Sequence, residues 1–322
     1  MKSTKKIILP IVGIVFLIAA YNIIDAMLFD GVKAQVIKEE GFQGNYYAKE
    51  DSESKTTVIL VGGGQWGDYW GQYLAKNDMV GFSLPYTGLE GLPDLPEDIA
   101  LEYFEYAINW LTKQLAVNPD KIVVMGASKN AELALVLAAN FPDLIDGVVA
   151  YAPSSVSWSN TALPYNSDEL KASWTYNGED IPFIPMEKIK ADSSNQIDML
   201  GYWEKGLSQS SFVEAAVIPV EKINGPILLI SGKDDQVWPS AKMADMIENR
   251  LKDHAFEFTC LNLKYDKAGH SISGNPDDNA VYGPGYVRIG DQDYEYAFGG
   301  DAAGDFKAKQ DARNQLMEFL KF

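Results

Sequence analysis

The sequence predicts an α/β fold with a mostly parallel central sheet, helices on both faces and an inserted cap-like excursion. Three observations carry this. Short, continuous β-branched and apolar runs alternate with helix-forming stretches, the pattern of strands buried on both faces. One such run, residues 122–125, turns within residues 126–130 into a helix. Residues 154–215 then break the alternation, with many aromatics and little periodicity. The 322 residues suit one large domain, and 47% hydrophobic with 12% aromatic content is ample for its core.

Lys2, Lys5 and Lys6 precede an apolar run over residues 7–24. As a helix this run spans about 27 Å, close to the roughly 30 Å of a bilayer core. Basic residues before it, and the acidic Asp25, Asp30, Glu39 and Glu40 after it, favour an N-terminus on the cytoplasmic side. Residues 1–30 are therefore expected to be a membrane anchor, holding the domain of residues 31–322 outside the cytoplasm. The alternative is a signal segment and a secreted domain, although no clean small-x-small site follows the run. A formal net charge of −18 argues against nucleic acid as a partner and would repel a polyanionic ligand at long range. The single cysteine, Cys260, excludes an intrachain disulfide; within an apolar run it reads as a buried strand residue rather than a functional thiol.

Residues 32–47 alternate loosely, as one or two leading strands around Gly41. A buried-strand run over 56–61 leads into Gly62-Gly63-Gly64-Gln65-Trp66-Gly67. Glycines here let backbone N–H groups approach a ligand closely. The loop reads as half of an oxyanion hole, with Gly63 and Gly64 as candidates; a phosphate-cradling turn or a plain loop are the alternatives. Residues 79–85 give the next strand and 86–96 a loop. Residues 97–115 read as a helix with Ile99, Tyr103, Ala107, Trp110 and Leu111 on one face.

At the turn, Gly126-Ala127-Ser128-Lys129-Asn130 places a serine at the apex between strand and helix. That geometry exposes Oγ above the sheet, and the helix N-terminus behind it favours developing negative charge. Asn130 stands where a second glycine is usual. The Lys129 N–H would supply the other half of the oxyanion hole; its side chain reads as solvated, with contact to an anionic substrate group as the alternative. A helix over 131–139 and a strand over 147–151 follow. The stretch 154–215 is expected to be a cap or substrate-covering excursion rather than a disordered linker, given Trp158, Trp174, Trp203 and several tyrosines. Regular elements return as a strand at 226–231, a helix at 241–251 and a strand at 256–265. Residues 274–300 form a second irregular stretch, whose Asp277-Asp278 and Asp291-x-Asp293 read as solvated acidic loops rather than calcium ligands. An amphipathic helix over 306–322 closes the chain. No metal and no cofactor is expected.

A nucleophilic serine needs a base and an orienting carboxylate, here in the chain order Ser, acid, His. Only two histidines are present. His254, between a helix and a strand, reads as a surface cap. His270 follows a strand at the carboxyl end of the sheet, where ligand chemistry belongs, and is the candidate base. Asp235 follows the preceding strand and is the candidate orienting acid, with Asp234 as competitor. Together these residues describe the α/β-hydrolase arrangement.

Five separated motifs resemble one family in order. They are Gly126-Ala127-Ser128-Lys129 with Ala131-Glu132-Leu133-Ala134, then Val149 to Ser155, then Pro226 to Ser240 with Asp234-Asp235. Tyr265-x-x-Ala268-Gly269-His270 and the late Gly299-Gly300-Asp301 complete the set. This part of the chain, about 55–322, resembles the catalytic domain of the acyl-CoA thioesterase / bile acid-CoA:amino acid N-acyltransferase family. The resemblance implies attack by Ser128 on a thioester carbonyl, with His270 and Asp235 as partners and a small acyl thioester as substrate. A serine nucleophile favours hydrolysis over transfer to an amino acid. Because coenzyme A is polyanionic and the domain acidic, an exported carboxylesterase, lipase-like or amide hydrolase is the alternative. A membrane-tethered binding protein without activity is a further one.

Overall fold

The computed structural model describes residues 32–39, 41–160, 169–190, 195–277, 283–289 and 291–321, with Ile14, Leu17, Ile18, Ala20 and Tyr21. In chain order the first half contains β1 (Gln35–Glu39), β2 (Phe42–Tyr47), β3 (Lys55–Val61), α1 (Gly64–Lys76), β4 (Val80–Leu84), β5 (Ile99–Ala100), α2 (Glu102–Leu111), β6 (Val117–Ala127), α3 (Lys129–Asn140) and β7 (Gly147–Tyr151). The excursion holds β8 (Trp174–Tyr176), β9 (Glu179–Asp180), α4 (Met199–Leu207) and α5 (Ser210–Ala216). Then come β10 (Ile227–Gly232), α6 (Ser240–Asp253), β11 (Cys260–Tyr265), β12 (Gly285–Ile289), β13 (Gln292–Tyr296) and α7 (Ala302–Phe319).

The main sheet has the order β1-β2-β4-β3-β6-β7-β10-β11. From β4 to β11 every neighbouring pair is parallel, and β2 alone runs against its neighbours. Alternate residues of β3 explain why its sequence is continuously apolar. Ile59 and Val61 face a core built with α2, α3 and α6, including Phe104, Leu133 and Ile247. Val58 and Leu60 face a second core with Trp70 and Leu74 of α1 and Ala312 and Leu316 of α7. Both faces are covered, so period-2 polarity is absent. The parallel strands also bring the loops after β3, β6, β10 and β11 to one edge, where the site lies.

Several elements differ from the sequence reading, beginning with α1, which starts at Gly64 inside the expected Gly62–Gly67 loop. The helix expected over 97–115 is confined to α2, while Ile99 and Ala100 pair with Trp174 and Thr175 of β8. Asp98 has φ 52, which no right-handed helix continues, and Ile99 N–H donates to Ser173 O. Ile99 is buried all the same, so the apolar spacing mimicked a helix face. The strand expected over 256–265 starts at Cys260. Among the described residues its strand partner is β10, whose ladder begins at Ile227 after Pro226; Ile227 N–H donates to Thr259 O, and residues 256–259 lie outside the ladder. Cys260 is consequently half-buried at the sheet edge rather than buried, with burial pushing its thiol up to about 11. The stretch 274–300 contains the β12–β13 hairpin, whose Val287, Tyr294 and Tyr296 pack against Ile197 and Met199 of the excursion.

Among the described residues no group of His, Cys, Asp and Glu is arranged to hold a metal ion, and Asp277 instead pairs with Arg313 at 2.5 Å. The apolar run 7–24 lies outside the described residues except for the five positions named above. Among the described residues, no helix is long and apolar enough to cross a membrane.

Candidate active site

Ser128 occupies the turn between β6 and α3 with φ 57 and ψ −122. A non-glycine residue held there costs on the order of 1–3 kcal/mol and persists only when its surroundings enforce it. The enforcement is visible. Ser128 N–H donates to Tyr151 O of β7 (2.9 Å), and Ser128 O accepts from Ala131 N–H and Glu132 N–H of α3. Gly126 lets the helix press onto the strand, since a Cβ there would lie 2.0 Å from Asn130 O.

The structure brings Ser128, Asp235 and His270 together across 142 and 35 residues of sequence. His270 Nδ1 and Asp235 Oδ2 are 2.9 Å apart, and His270 Nε2 and Ser128 Oγ are 2.9 Å apart. An ionised carboxylate only accepts, so Nδ1–H is the donor to Asp235, and Nε2 is left to accept from the serine hydroxyl. Asp235 is buried and fully bonded: Oδ1 accepts from Val237 N–H and Trp238 N–H, and Oδ2 also accepts from Ser240 O–H at 2.6 Å. Asp234, the competing carboxylate, is exposed. The second histidine, His254, is exposed at the end of α6 and bonded to Arg250 O.

Ser128, Lys129 and His270 line a cavity of about 310 Å³. Gly63 and Gly64 are not among its lining residues; their loop adjoins the first turn of α3, where a Cβ on Gly62 would lie 2.1 Å from Asn130 Nδ2. Gly63 N–H turns back to Leu60 O (3.3 Å). Gly64 and Lys129 each open a helix, so their N–H groups have no intrahelical acceptor. Space for a Cβ at Gly64 is open, whereas one at Gly63 would lie 2.6 Å from Pro85 N.

The Lys129 side chain is only partly solvated, with 27% of it exposed, and its head group is engaged rather than free as the sequence suggested. Its ammonium donates to both oxygens of Glu132 at 2.8 Å and to Trp158 O at 3.0 Å, and lies 5.2 Å from the centre of the Trp174 ring. Desolvation lowers the Lys129 pKa, opposed by the attraction of Glu132.

The BAAT / acyl-CoA thioester hydrolase C-terminal family matches residues 99–322. The chain belongs to that family. Human acyl-coenzyme A thioesterase 6 is 26% identical to it over 295 residues, 90% of this chain and 65% of the relative. Mouse acyl-coenzyme A amino acid N-acyltransferase 2 is 26% identical over 296 residues, 90% of this chain and 66% of the relative. The chain thus spans just under two thirds of either protein. A Pyrobaculum calidifontis esterase superposes with a TM-score of 0.50 at 15% identity, covering 90% of this chain and 85% of that one. The fold is that of the α/β-hydrolases.

Several residues that shape the site in this family member were not singled out from the sequence as site residues. Ser240 bonds Asp235 from the first position of α6, a place where a serine looks like an ordinary helix start. Glu132, fully buried within α3, accepts from Ser157 O–H, Trp158 N–H and Trp174 Nε1–H besides Lys129. Asn130, the departure from the usual elbow glycine, accepts from Tyr86 O–H at 2.7 Å. Apart from the Lys129–Glu132 pair three residues apart, their partners lie 5 to 44 residues away and leave no local signature.

Proposed function

We propose that this chain is a serine-dependent acyl hydrolase of the acyl-CoA thioesterase type. The observation that carries the reading is the unbroken relay Ser128 Oγ, His270, Asp235, with both links at 2.9 Å, on the wall of a largely apolar cavity. Ser128 Oγ bonds to the thioester carbonyl carbon as its proton passes to His270 Nε2. The Lys129 N–H and a glycine N–H of the 62–64 loop, with Gly64 the better placed of the two candidates, stabilise the oxyanion. The carbon–sulfur bond breaks, His270 returns the proton to the leaving thiolate, and the acyl group remains on Ser128. Water then gives a proton to His270 as its oxygen bonds to the acyl carbon. The Ser128 oxygen leaves, recovers the proton, and the carboxylic acid departs. Throughout, Asp235 fixes the imidazole tautomer and stabilises the imidazolium.

The test compares hydrolysis of octanoyl-CoA and p-nitrophenyl octanoate by the chain and by Ser128→Ala. Serine-dependent thioester turnover at kcat/KM of about 10⁴ M⁻¹s⁻¹ or above is expected. Absence of Ser128-dependent turnover of either compound overturns the reading. A carboxylesterase that does not use coenzyme A is the second reading. It is favoured by the net charge of −18 and by the commitment of all three Lys129 N–H donors within the protein. Turnover of the simple ester alone would select it.

We also propose that residues 7–24 tether the domain to a membrane, with the domain outside the cytoplasm. Ile14, Leu17, Ile18 and Tyr21 each leave more than half of their surface uncovered, which suits lipid better than water. Recovery of the full chain in the aqueous fraction after gentle lysis, without detergent, would refute the tether. Resistance of the domain to protease added to intact cells would refute the orientation.

A further inference from the structure

We infer that the cavity beside Ser128 takes an uncharged acyl group of about ten non-hydrogen atoms or fewer, and that Trp203 sets this limit. The inference rests on the reading of Ser128 as the acyl-accepting nucleophile.

Size comes first. The cavity of about 310 Å³ lies at the small end of the roughly 300–1,000 Å³ usual for small-molecule sites. At roughly 30 Å³ for each water-sized group, it holds about ten. Its apolar wall comes from Met199 and Trp203 of α4, Val237 and Trp238 of the loop after β10, and Tyr296 and Phe298 at the end of the hairpin.

The wall has little room to retreat. Trp203 packs edge-on against Trp158, with ring centres 4.8 Å apart, and against Trp238, at 5.6 Å. Trp158 is tied down by its N–H to Glu132 and by its indole N–H to Ser154 Oγ. Trp238 is tied by its indole N–H to Ala152 O, and its ring packs edge-on against His270 at 5.8 Å. A long chain would have to displace a ring packed against two anchored tryptophans.

Charge is decided by the polar lining residues Lys129, Ser159, Asn160 and Ser173. Lys129 is the one cation among the described lining residues, and its three donors are committed to Glu132 and Trp158 O. Ser173 donates its hydroxyl to Trp158 O, and the Asn160 amide donates to Glu169 O. A carboxylate at the far end of the acyl group would therefore be desolvated without a free counter-charge.

The experiment measures kcat/KM for butanoyl, octanoyl, hexadecanoyl and adipoyl thioesters of N-acetylcysteamine. The chain, Trp203→Ala and the milder Trp203→Phe are compared, with Ser128→Ala as blank. Octanoyl should exceed hexadecanoyl and adipoyl by about tenfold or more. Trp203→Ala should narrow the octanoyl-to-hexadecanoyl ratio by about tenfold, with Trp203→Phe between the two. Hexadecanoyl turnover matching octanoyl in the unaltered chain overturns the size limit. An unchanged ratio in a folded, active Trp203 variant overturns the role of that residue, and adipoyl turnover matching octanoyl overturns the charge rule. No Ser128-dependent turnover of any thioester instead overturns the hydrolase reading beneath it.

Discussion

Gly299 lies so close to Asp234 that a Cβ on it would sit 1.8 Å from the Asp234 carbonyl oxygen. The contact belongs to a strap, residues 298–300, that ties two loops to each other. Gly299 bridges Asp235, Gly300 bridges Ala268, and Phe298 O accepts from His270 N–H at 2.9 Å and Gln236 N–H at 3.3 Å. The carboxylate and the imidazole are thereby registered by one piece of backbone. Both glycines have φ near the left-handed region, 78 and 70.

Gly299→Ala should therefore disconnect the relay. Left-handed backbone adds about 1–2 kcal/mol for a residue with a Cβ, and the clash pushes residues 234–236 away from His270. Labelling of Ser128 by a fluorophosphonate, measured well below the melting temperature, should slow by about 100-fold or more. Gly283→Ala, where a Cβ meets nothing, is the control and should label at the parental rate. Equal labelling of both variants would remove the strap from the account.

Glu132 supports the other side of the site. It is fully buried and holds Lys129, Ser157, Trp158 and Trp174, so α3 and the excursion share one carboxylate. Removing one partner of a buried pair costs about 3–5 kcal/mol. Because Lys129 keeps 27% of its side chain exposed, the lower end is expected for Glu132→Gln in urea unfolding. Lys129→Met in the Glu132→Gln background should restore about 1 kcal/mol or more, since it removes the stranded charge. A double variant no more stable than Glu132→Gln would mean that the ion pair contributes little beyond its neutral hydrogen bonds.

What the sequence disclosed and what it hid follow one physical division. The runs behind β3, β6, β7 and β10 were readable because burial on both faces makes a strand apolar along its length. Ser128, His270 and Asp235 were nameable because the chemistry needs those residue types, this fold places them in the order serine, acid, histidine, and only two histidines compete. Pairing of Ile99 with Trp174 was hidden, because a contact across 75 residues leaves no trace in a local window. The Lys129 side chain read as solvated and Glu132 stood out only as part of a family motif, since nothing nearby announces that the excursion folds over them. The β12–β13 hairpin was masked by its own glycine and aspartate density, although Val287 and Tyr294 face each other across it.

Asn130 tests whether the missing elbow glycine is a defect. Close packing of helix on strand is provided from the other side by Gly126 and Gly62, both of which would clash with Asn130 if they carried a Cβ. Asn130 also accepts from the hydroxyl of Tyr86, whose pKa is raised mainly by burial and further by Glu132. Asn130→Gly should therefore destabilise rather than improve the protein, by about 1–3 kcal/mol, because it leaves a buried hydroxyl unbonded. Tyr86→Phe in the Asn130→Gly background should recover part of that loss in thermal melts. An Asn130→Gly variant as stable as its parent would show that the usual glycine fits here without penalty.

A pH dependence follows from Glu221 and Arg250. The guanidinium donates to the carboxylate through Nε at 2.5 Å and Nη2 at 2.6 Å, binding α6 to the segment before β10. Hydrogen bonds from Arg250 hold the Glu221 carboxyl below the usual carboxylate range, against the opposing effect of its partial burial. With the folded pKa depressed, the folded state binds fewer protons than the unfolded one, so stability rises with pH through this window. The contribution is complete above the unfolded value of about 4.3 and is lost as pH falls through the folded value. Both side chains keep some exposure, 17% for Glu221 and 32% for Arg250, so Glu221→Gln should cost no more than about 1 kcal/mol at neutral pH. That corresponds to a Tm lower by about 2–4 °C. The gap to the parent should shrink in melts taken from pH 6 towards pH 3, and shrink also in high salt at neutral pH. A gap that stays constant down to pH 3 would mean that the carboxylate titrates alike in both states, and that the pair holds α6 by packing rather than by charge.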